Sequence, residues 1–403
     1  MTTTTPFTSR AGTTRRHALG LALAAGTALP LVSTATARAA TGRTGSRAAT
    51  PAPVFTLPGP TGPHPVGTVE LHLVDPARPD PDTGRPRELM ASVWYPARGD
   101  AGRYPLAPWM QADVMRAFLD GIGLPPDLAA APLTAGRTGA PVHRTGRGLP
   151  VVLYSHGAHS HRSDHTIIVQ ELASHGYAVV TVDHTGDAFT RFPDGRVLTP
   201  RRPMGPADFA ADLPFVLDRV ERLAAGHNPD ADGRPLPDGL AGALDTSRIG
   251  CFGWSKGGTA TALTMLADRR VKAGLSLDAP MSPTVTTDLN RPFLMMTAVY
   301  TRAQDPDAAV FWDHLKGWRL NVQAAGVTHH SYGDNEMLFP QVAKATGMTD
   351  EQLKAAIGTL DPARALKIQQ AYPLAFFDQH LLGRRSHLLD GPSRAFPEVS
   401  YLP

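Results

Sequence analysis

Residues 248–258 read RIGCFGWSKGG, an apolar run that breaks at a serine with a glycine two positions to either side. A Gly-x-Ser-x-Gly turn between a strand and a helix forces its central serine into a strained conformation that lifts the hydroxyl clear of the backbone. The glycines remove side chains that would collide in so tight a turn. Both flanks fit: 248–254 is apolar enough for a buried strand, and 259–270 (TATALTMLADRR) suits a helix. Ser255 is therefore a candidate nucleophile, with a helix N-terminus behind it to stabilise developing negative charge.

A serine at neutral pH needs a base, and the base needs an orienting acid. Where the elbow belongs to an α/β-hydrolase, the acid follows the serine at the end of a later strand and the histidine comes last. Residues 273–280 (AGLSLDAP) are an apolar run ending in Asp278 and a proline turn, so Asp278 is the candidate acid. Residues 326–334 (GVTHHSYGD) supply two adjacent histidines, His329 and His330, which point in different directions on any backbone. Spacing alone does not choose between them. An oxyanion hole needs two backbone N–H groups, one from the residue after the nucleophile and one from a loop after an early strand. Lys256 provides the first; the loop in 151–158 (VVLYSHGA) provides the second at Ala158.

Working outward, strand-like segments at 66–74, 89–95, 151–154, 178–182, 248–254, 273–277, 292–298 and 320–324 alternate with helical patterns at 164–175, 208–223 and 362–382. Short apolar runs alternating with helices predict an α/β-hydrolase fold, a mostly parallel sheet covered on both faces. One domain is expected over 63–403, preceded by a Thr/Gly/Ala/Pro-rich linker at 40–62. The insertion 101–147 is a candidate cap. Within 103–124, Met110, Val114, Phe118 and Ile122 recur at helical spacing, a stripe that suits burial against the body. The same stripe would also suit a cap over an acyl pocket or a face meeting lipid aggregates.

The first 39 residues read as an export leader. Arg15-Arg16 precede a mildly apolar run, Ala18–Val32, and Ala37-Arg38-Ala39 offers a cleavage site. The arginine pair favours the twin-arginine route over an ordinary secretory signal, and the run is too short for a comfortable membrane span. A secreted protein is expected. The leader carries four arginines and no acid; removing them from the 39 basic residues leaves 35 against 36 acidic ones, a net charge of −1. The chain's basicity therefore belongs to the leader, and nothing points to nucleic acid. The single cysteine, Cys251, has no internal disulfide partner and reads as a buried thiol.

With those pieces placed, the chain resembles the type II platelet-activating-factor acetylhydrolases from about Gly67 to Leu382. The likeness rests on YSHGAHSHRSDH (154–165), ELASHGYAVVTVDHTGDA (171–188), GWSKGG (253–258), SLDAP (276–280) and THHSYGD (328–334). It implies Ser255 as nucleophile, Asp278 as acid and His329 as base, with His330 as a neighbour. It also implies no metal, no cofactor, and a substrate that is a short-chain or phospholipid-type acyl ester. Lys256 stands where family members often carry an apolar residue. A cation beside the nucleophile would bias the site towards anionic or phospholipid substrates.

His156, His159, His161 and His165 with Asp164 could suggest a metal cluster, but they share a loop already given to the oxyanion hole, and no metal is expected. His184 and Asp187 sit at another strand end, where support of nearby loops is expected. His156, Trp254 and Trp109 are candidate pocket residues. A long-chain lipase or cutinase-like hydrolase remains the rival for substrate, and a non-catalytic binding protein on the same scaffold is the rival of a different class.

Overall fold

The computed structural model describes residues 53–144 and 146–403. Strands β1 (Val66–Pro79) and β2 (Pro86–Pro96) open the fold, followed by β3 (Leu106–Pro108), α1 (Ala112–Gly121) and β4 (Leu133–Thr138). Then come β5 (Leu149–Ser155), α2 (Thr166–Ser174), β6 (Ala178–Asp183), a small hairpin of β7 (Thr190–Arg191) and β8 (Val197–Leu198), and α3 (Pro206–Ala224). The elbow region follows with β9 (Leu244–Trp254), α4 (Lys256–Ala267) and β10 (Val271–Leu277). Next are β11 (Phe293–Thr297), α5 (Pro306–His314), β12 (Arg319–Ala324), α6 (Asn335–Thr346), α7 (Asp350–Ile357), α8 (Pro362–Leu382) and β13 (Val399–Leu402).

The main sheet runs β13-β12-β11-β10-β9-β5-β6-β2-β1-β4-β3. Its centre, β6-β5-β9-β10-β11-β12, is parallel throughout. Side chains alternate between two cores, as strand geometry requires. Val151 and Leu153 of β5 join a core with α3, α4 and α5; Val152 and Tyr154 join another with α2 and α8. Burial on both faces explains why these strands read as unbroken apolar runs. The layering is that of an α/β-hydrolase.

Strand order reverses at β5: β6 lies on one side of it and β9 on the other. Loops leaving adjacent strands in opposite directions open a crevice at their C-terminal ends, the usual ligand position in such sheets. That crevice lies between the loop after β5 and the turn after β9, which carry Ala158 and Ser255. Among the described residues, four non-glycine positions have positive φ: His159, Ser255, Asp278 and Met281. All four lie in the loops that follow β5, β9 and β10. Backbone strain of this kind costs about 1–3 kcal/mol per residue and collects where geometry is over-determined.

The leader expected over residues 1–39 lies outside the described residues, as do residues 40–52 of the expected linker. Residues 53–62 are not a linker. Val54 bridges to Ala130, Phe55 is buried beside Trp109 and Met110, and Thr61 donates from its N–H and Oγ to Glu171 at 2.8 and 2.6 Å. Proline-rich composition suits an extended strap pinned by side chains as well as a free tether, so composition alone misled. The insertion 101–147 also differs from a free-standing cap. Its β4 pairs in parallel with β1 and β3 with β4, so two of its segments extend the sheet. Helix α1 is shorter than 103–124 because Pro105 and Pro108 hold the preceding segment extended. It buries Val114, Met115 and Leu119 against Phe189, Leu338 and Val342, whereas Ile122 is exposed. Among the described residues no helix is long and apolar enough to cross a membrane.

Candidate active site

Ser255 follows β9 and caps α4 with φ 54° and ψ −122°. Its N–H donates to Leu277 O at 2.9 Å, fixing the elbow to the end of β10. The two glycines are sterically required. A Cβ on Gly253 would lie 2.2 Å from Gly257 O, and one on Gly257 would lie 2.0 Å from Ser155 O. Gly257 thus lets the elbow press onto the end of β5, beside the oxyanion loop.

Asp278 follows β10 directly and is fully buried. One carboxylate oxygen accepts the N–H groups of Ala298, Val299 and Tyr300 at 2.7, 2.9 and 2.9 Å. The other meets His329 Nδ1 at 2.6 Å. Three backbone donors hold the carboxylate still, and the carboxylate in turn holds the imidazole. Because Asp278 accepts, Nδ1 carries the proton and Nε2 keeps its lone pair for a serine hydroxyl. Among the described residues Ser255 Oγ has no hydrogen-bond partner; contacts between a nucleophile and its base often tighten only around substrate.

Of the two histidines left open by spacing, His329 is the one that meets Asp278. His330 does not reach Asp278; Asn335 Nδ2 lies 3.3 Å from its Nδ1, and its ring packs near Trp254 and Phe339. Burial pushes its pKa down to about 4, with the neighbouring His329 adding to the effect. Trp254 braces the same loop, donating from Nε1 to His329 O at 2.8 Å with its ring 4.8 Å from the His329 ring. It is wall rather than open pocket.

Two expectations are corrected here. His156 does not line a pocket: it is fully buried, with Nδ1 on Gly157 O at 2.6 Å and Nε2 accepting the His184 N–H at 3.0 Å. Lys256 does not present a free cation to substrate. Its Nζ lies 2.6 Å from the buried Asp187 carboxylate and 5.0 Å from the Phe209 ring centre. The carboxylate of Asp187, beyond the end of β6, pairs with the ammonium, and no sequence pattern announces that pairing.

Trp109 donates from Nε1 to Asp334 at 2.9 Å and borders a cavity of about 270 Å³ with Trp94, Met110, Val114, His161 and Phe189. Ser255 and His329 do not line that cavity. The remaining loop histidines turn to separate partners. His161 Nδ1 accepts the Ser163 N–H at 3.2 Å, and His165 Nδ1 lies 2.7 Å from the Tyr154 hydroxyl. Asp187 and His184 support loops, as expected.

Asp212 escaped sequence reasoning altogether. It sits in α3, fully buried, bound by Arg87 Nε and Nη2 at 2.6 and 2.7 Å and by His184 Nδ1 at 2.9 Å. His184 Nε2 in turn meets Ser155 Oγ at 2.9 Å. This second Ser–His–Asp chain lies wholly inside the protein, and burial pushes His184 down to about 4. Asp212 looks in sequence like any polar residue of an amphipathic helix.

The model of the family "Platelet-activating factor acetylhydrolase, isoform II" matches residues 130–191 and 237–388. An Arthroderma benhamiae protein named "Probable 1-alkyl-2-acetylglycerophosphocholine esterase" is 30% identical, over 86% of this chain and 94% of its own length. The platelet-activating factor acetylhydrolase of Cavia porcellus is 23% identical over 59% of each chain. Among solved structures, a ferulic acid esterase from Streptomyces cinnamoneus matches with a TM-score of 0.72 and 32% identity, covering 87% of this chain and 99% of that one. The chain belongs to the isoform II family of platelet-activating factor acetylhydrolases and is an acetylhydrolase-like carboxylic ester hydrolase.

Proposed function

We propose that the protein cleaves short-chain or phospholipid-type acyl esters through an acyl-enzyme on Ser255. His329 Nε2 takes the serine proton as the hydroxyl attacks the ester carbonyl, then returns it to the leaving alcohol. Asp278 keeps the imidazole in the Nδ1–H tautomer and stabilises the imidazolium. The N–H groups of Ala158 and Lys256 bind the tetrahedral oxyanion, with the N-terminal end of α4 adding to the field. Water, activated by the same histidine, releases the acyl group.

The observation that carries this reading is the His329–Asp278 contact at 2.6 Å, with Asp278 fixed by three backbone donors at the strand end beside Ser255. The names of the acetylhydrolase relatives support the short acyl group. A second reading, a phenolic acyl group, is favoured by the ferulic acid esterase likeness. Turnover of p-nitrophenyl acetate through palmitate beside methyl ferulate separates them. A peak at acetate or butyrate supports the proposal, a preference for ferulate supports the second reading, and a peak at palmitate contradicts both.

We also propose export through residues 1–39, on the strength of the Arg15-Arg16 pair and the small-residue site that follows it. Loss of extracellular esterase activity on Arg15→Lys/Arg16→Lys substitution tests it.

A further inference from the structure

We propose that His156, Asp187 and the Lys256 side chain are positioning residues that aim the two oxyanion-binding N–H groups. The inference rests on assigning those donors to Ala158 and Lys256.

The Gly157 carbonyl and the Ala158 N–H belong to one peptide plane, and in a trans peptide they point in opposite directions. Whatever holds the carbonyl therefore aims the amide. His156 Nδ1 lies 2.6 Å from Gly157 O, and its proton is determined by its other partner. The His184 backbone N–H can only donate, so His156 Nε2 accepts and Nδ1 must carry the hydrogen. His156 is fully buried while Ala158 is partly exposed. Gripping the carbonyl from below turns the Ala158 N–H towards the open side.

The grip is itself anchored. His184 Nδ1–H donates to Asp212, Ser155 Oγ–H donates to His184 Nε2, and Arg87 holds Asp212 with two bonds. Every proton in this buried chain has one assignment, and the chain holds in place the His184 residue whose backbone N–H fixes the His156 tautomer.

The second donor is tied to the first by a single carboxylate. Asp187 accepts the His159 N–H on one oxygen and Lys256 Nζ on the other, both at 2.6 Å. His159 follows Ala158, and Lys256 owns the second amide, so Asp187 fixes the spacing between the two donors. Both halves converge on Phe209, which stacks on His184 at 3.8 Å and lies under Lys256 Nζ.

The test measures kcat, KM and affinity for a trifluoromethyl ketone, whose hemiketal oxyanion occupies the hole, in His156→Leu, His156→Asn and Lys256→Met. Active sites are counted with a phosphonate probe. Misaiming a donor should lower kcat and ketone affinity together, by roughly 10- to 100-fold, with little change in KM. His156→Asn should recover most of the loss, because its amide can still donate to Gly157 O. Lys256→Met keeps the amide and tests the Asp187 tie even where His156→Leu fails to fold. Folded variants with wild-type kcat and ketone affinity would overturn the proposal, as would a fall in kcat without loss of ketone affinity. A wild-type enzyme that takes no phosphonate would overturn the nucleophile assignment beneath it as well.

Discussion

His329 and Asp278 meet at 2.6 Å although 51 residues separate them, because each stands just beyond the end of a central parallel strand, β12 and β10. Strand β11 lies between those two, and the three backbone N–H groups of residues 298–300 just beyond it decide which way the carboxylate faces. Asp278→Asn should keep those three contacts on its amide oxygen. Its NH₂ would then face His329 Nδ1 and force the proton onto Nε2, where the serine needs a lone pair. The expected outcome is a fall in kcat of roughly 10⁴-fold with little change in KM, measured on p-nitrophenyl acetate.

Two serines precede functional-looking turns, and they should respond oppositely to removal of the hydroxyl. Ser155 Oγ is buried and donates to His184, so Ser155→Ala leaves a buried acceptor unmatched and should cost about 1–3 kcal/mol in urea unfolding. Ser255 Oγ has no partner among the described residues, so Ser255→Ala should leave the unfolding midpoint near that of the wild type while removing activity.

Asp334 ends the histidine loop and is buried while accepting from Trp109 Nε1, the Thr166 N–H and hydroxyl, and the Ile167 N–H. It caps α2 from a distant segment and ties the segment ahead of α1 to the loop that carries His329. Asp334→Ala strands several buried donors and should cost at least about 2–3 kcal/mol, read by urea unfolding.

Much of this was legible in the sequence and some was not, for physical reasons. Helix 362–382 matches α8 end to end, because an Asp361-Pro362 start and a Gly383 stop bracket it. The central strands were visible as apolar runs because both of their faces are buried. Helix α7 was not, since Ile357 is its one buried residue and no apolar stripe marks it. Strand β13 is four residues long and gains its identity only by pairing with β12. At the site, the candidate nucleophile, acid and base are announced by chain order and turn chemistry. The supports Asp212 and Arg87 are not, because their partners come from four separate elements and leave no local pattern.

Stability should fall on both sides of roughly pH 6.5. Burial pushes His161, His184 and His330 down to about 4, so each contributes stability that is present above its unfolded pKa of 6.5 and is lost as pH falls towards 4. Burial pushes the Glu336 carboxyl up to about 8. Its contribution is present below 4.5 and is lost as pH rises through 8. Urea midpoints should therefore drop at pH 5 and at pH 9, and Glu336→Gln should remove the alkaline drop while leaving the acid one.

The most direct measurement is intact-mass titration of the wild type with a fluorophosphonate, followed by peptide mapping. One equivalent on Ser255, with Ser255→Ala and Asp278→Asn reacting far more slowly, is the predicted result. Labelling of a different residue, or none at all on folded protein, would contradict the assignment of Ser255 as the nucleophile.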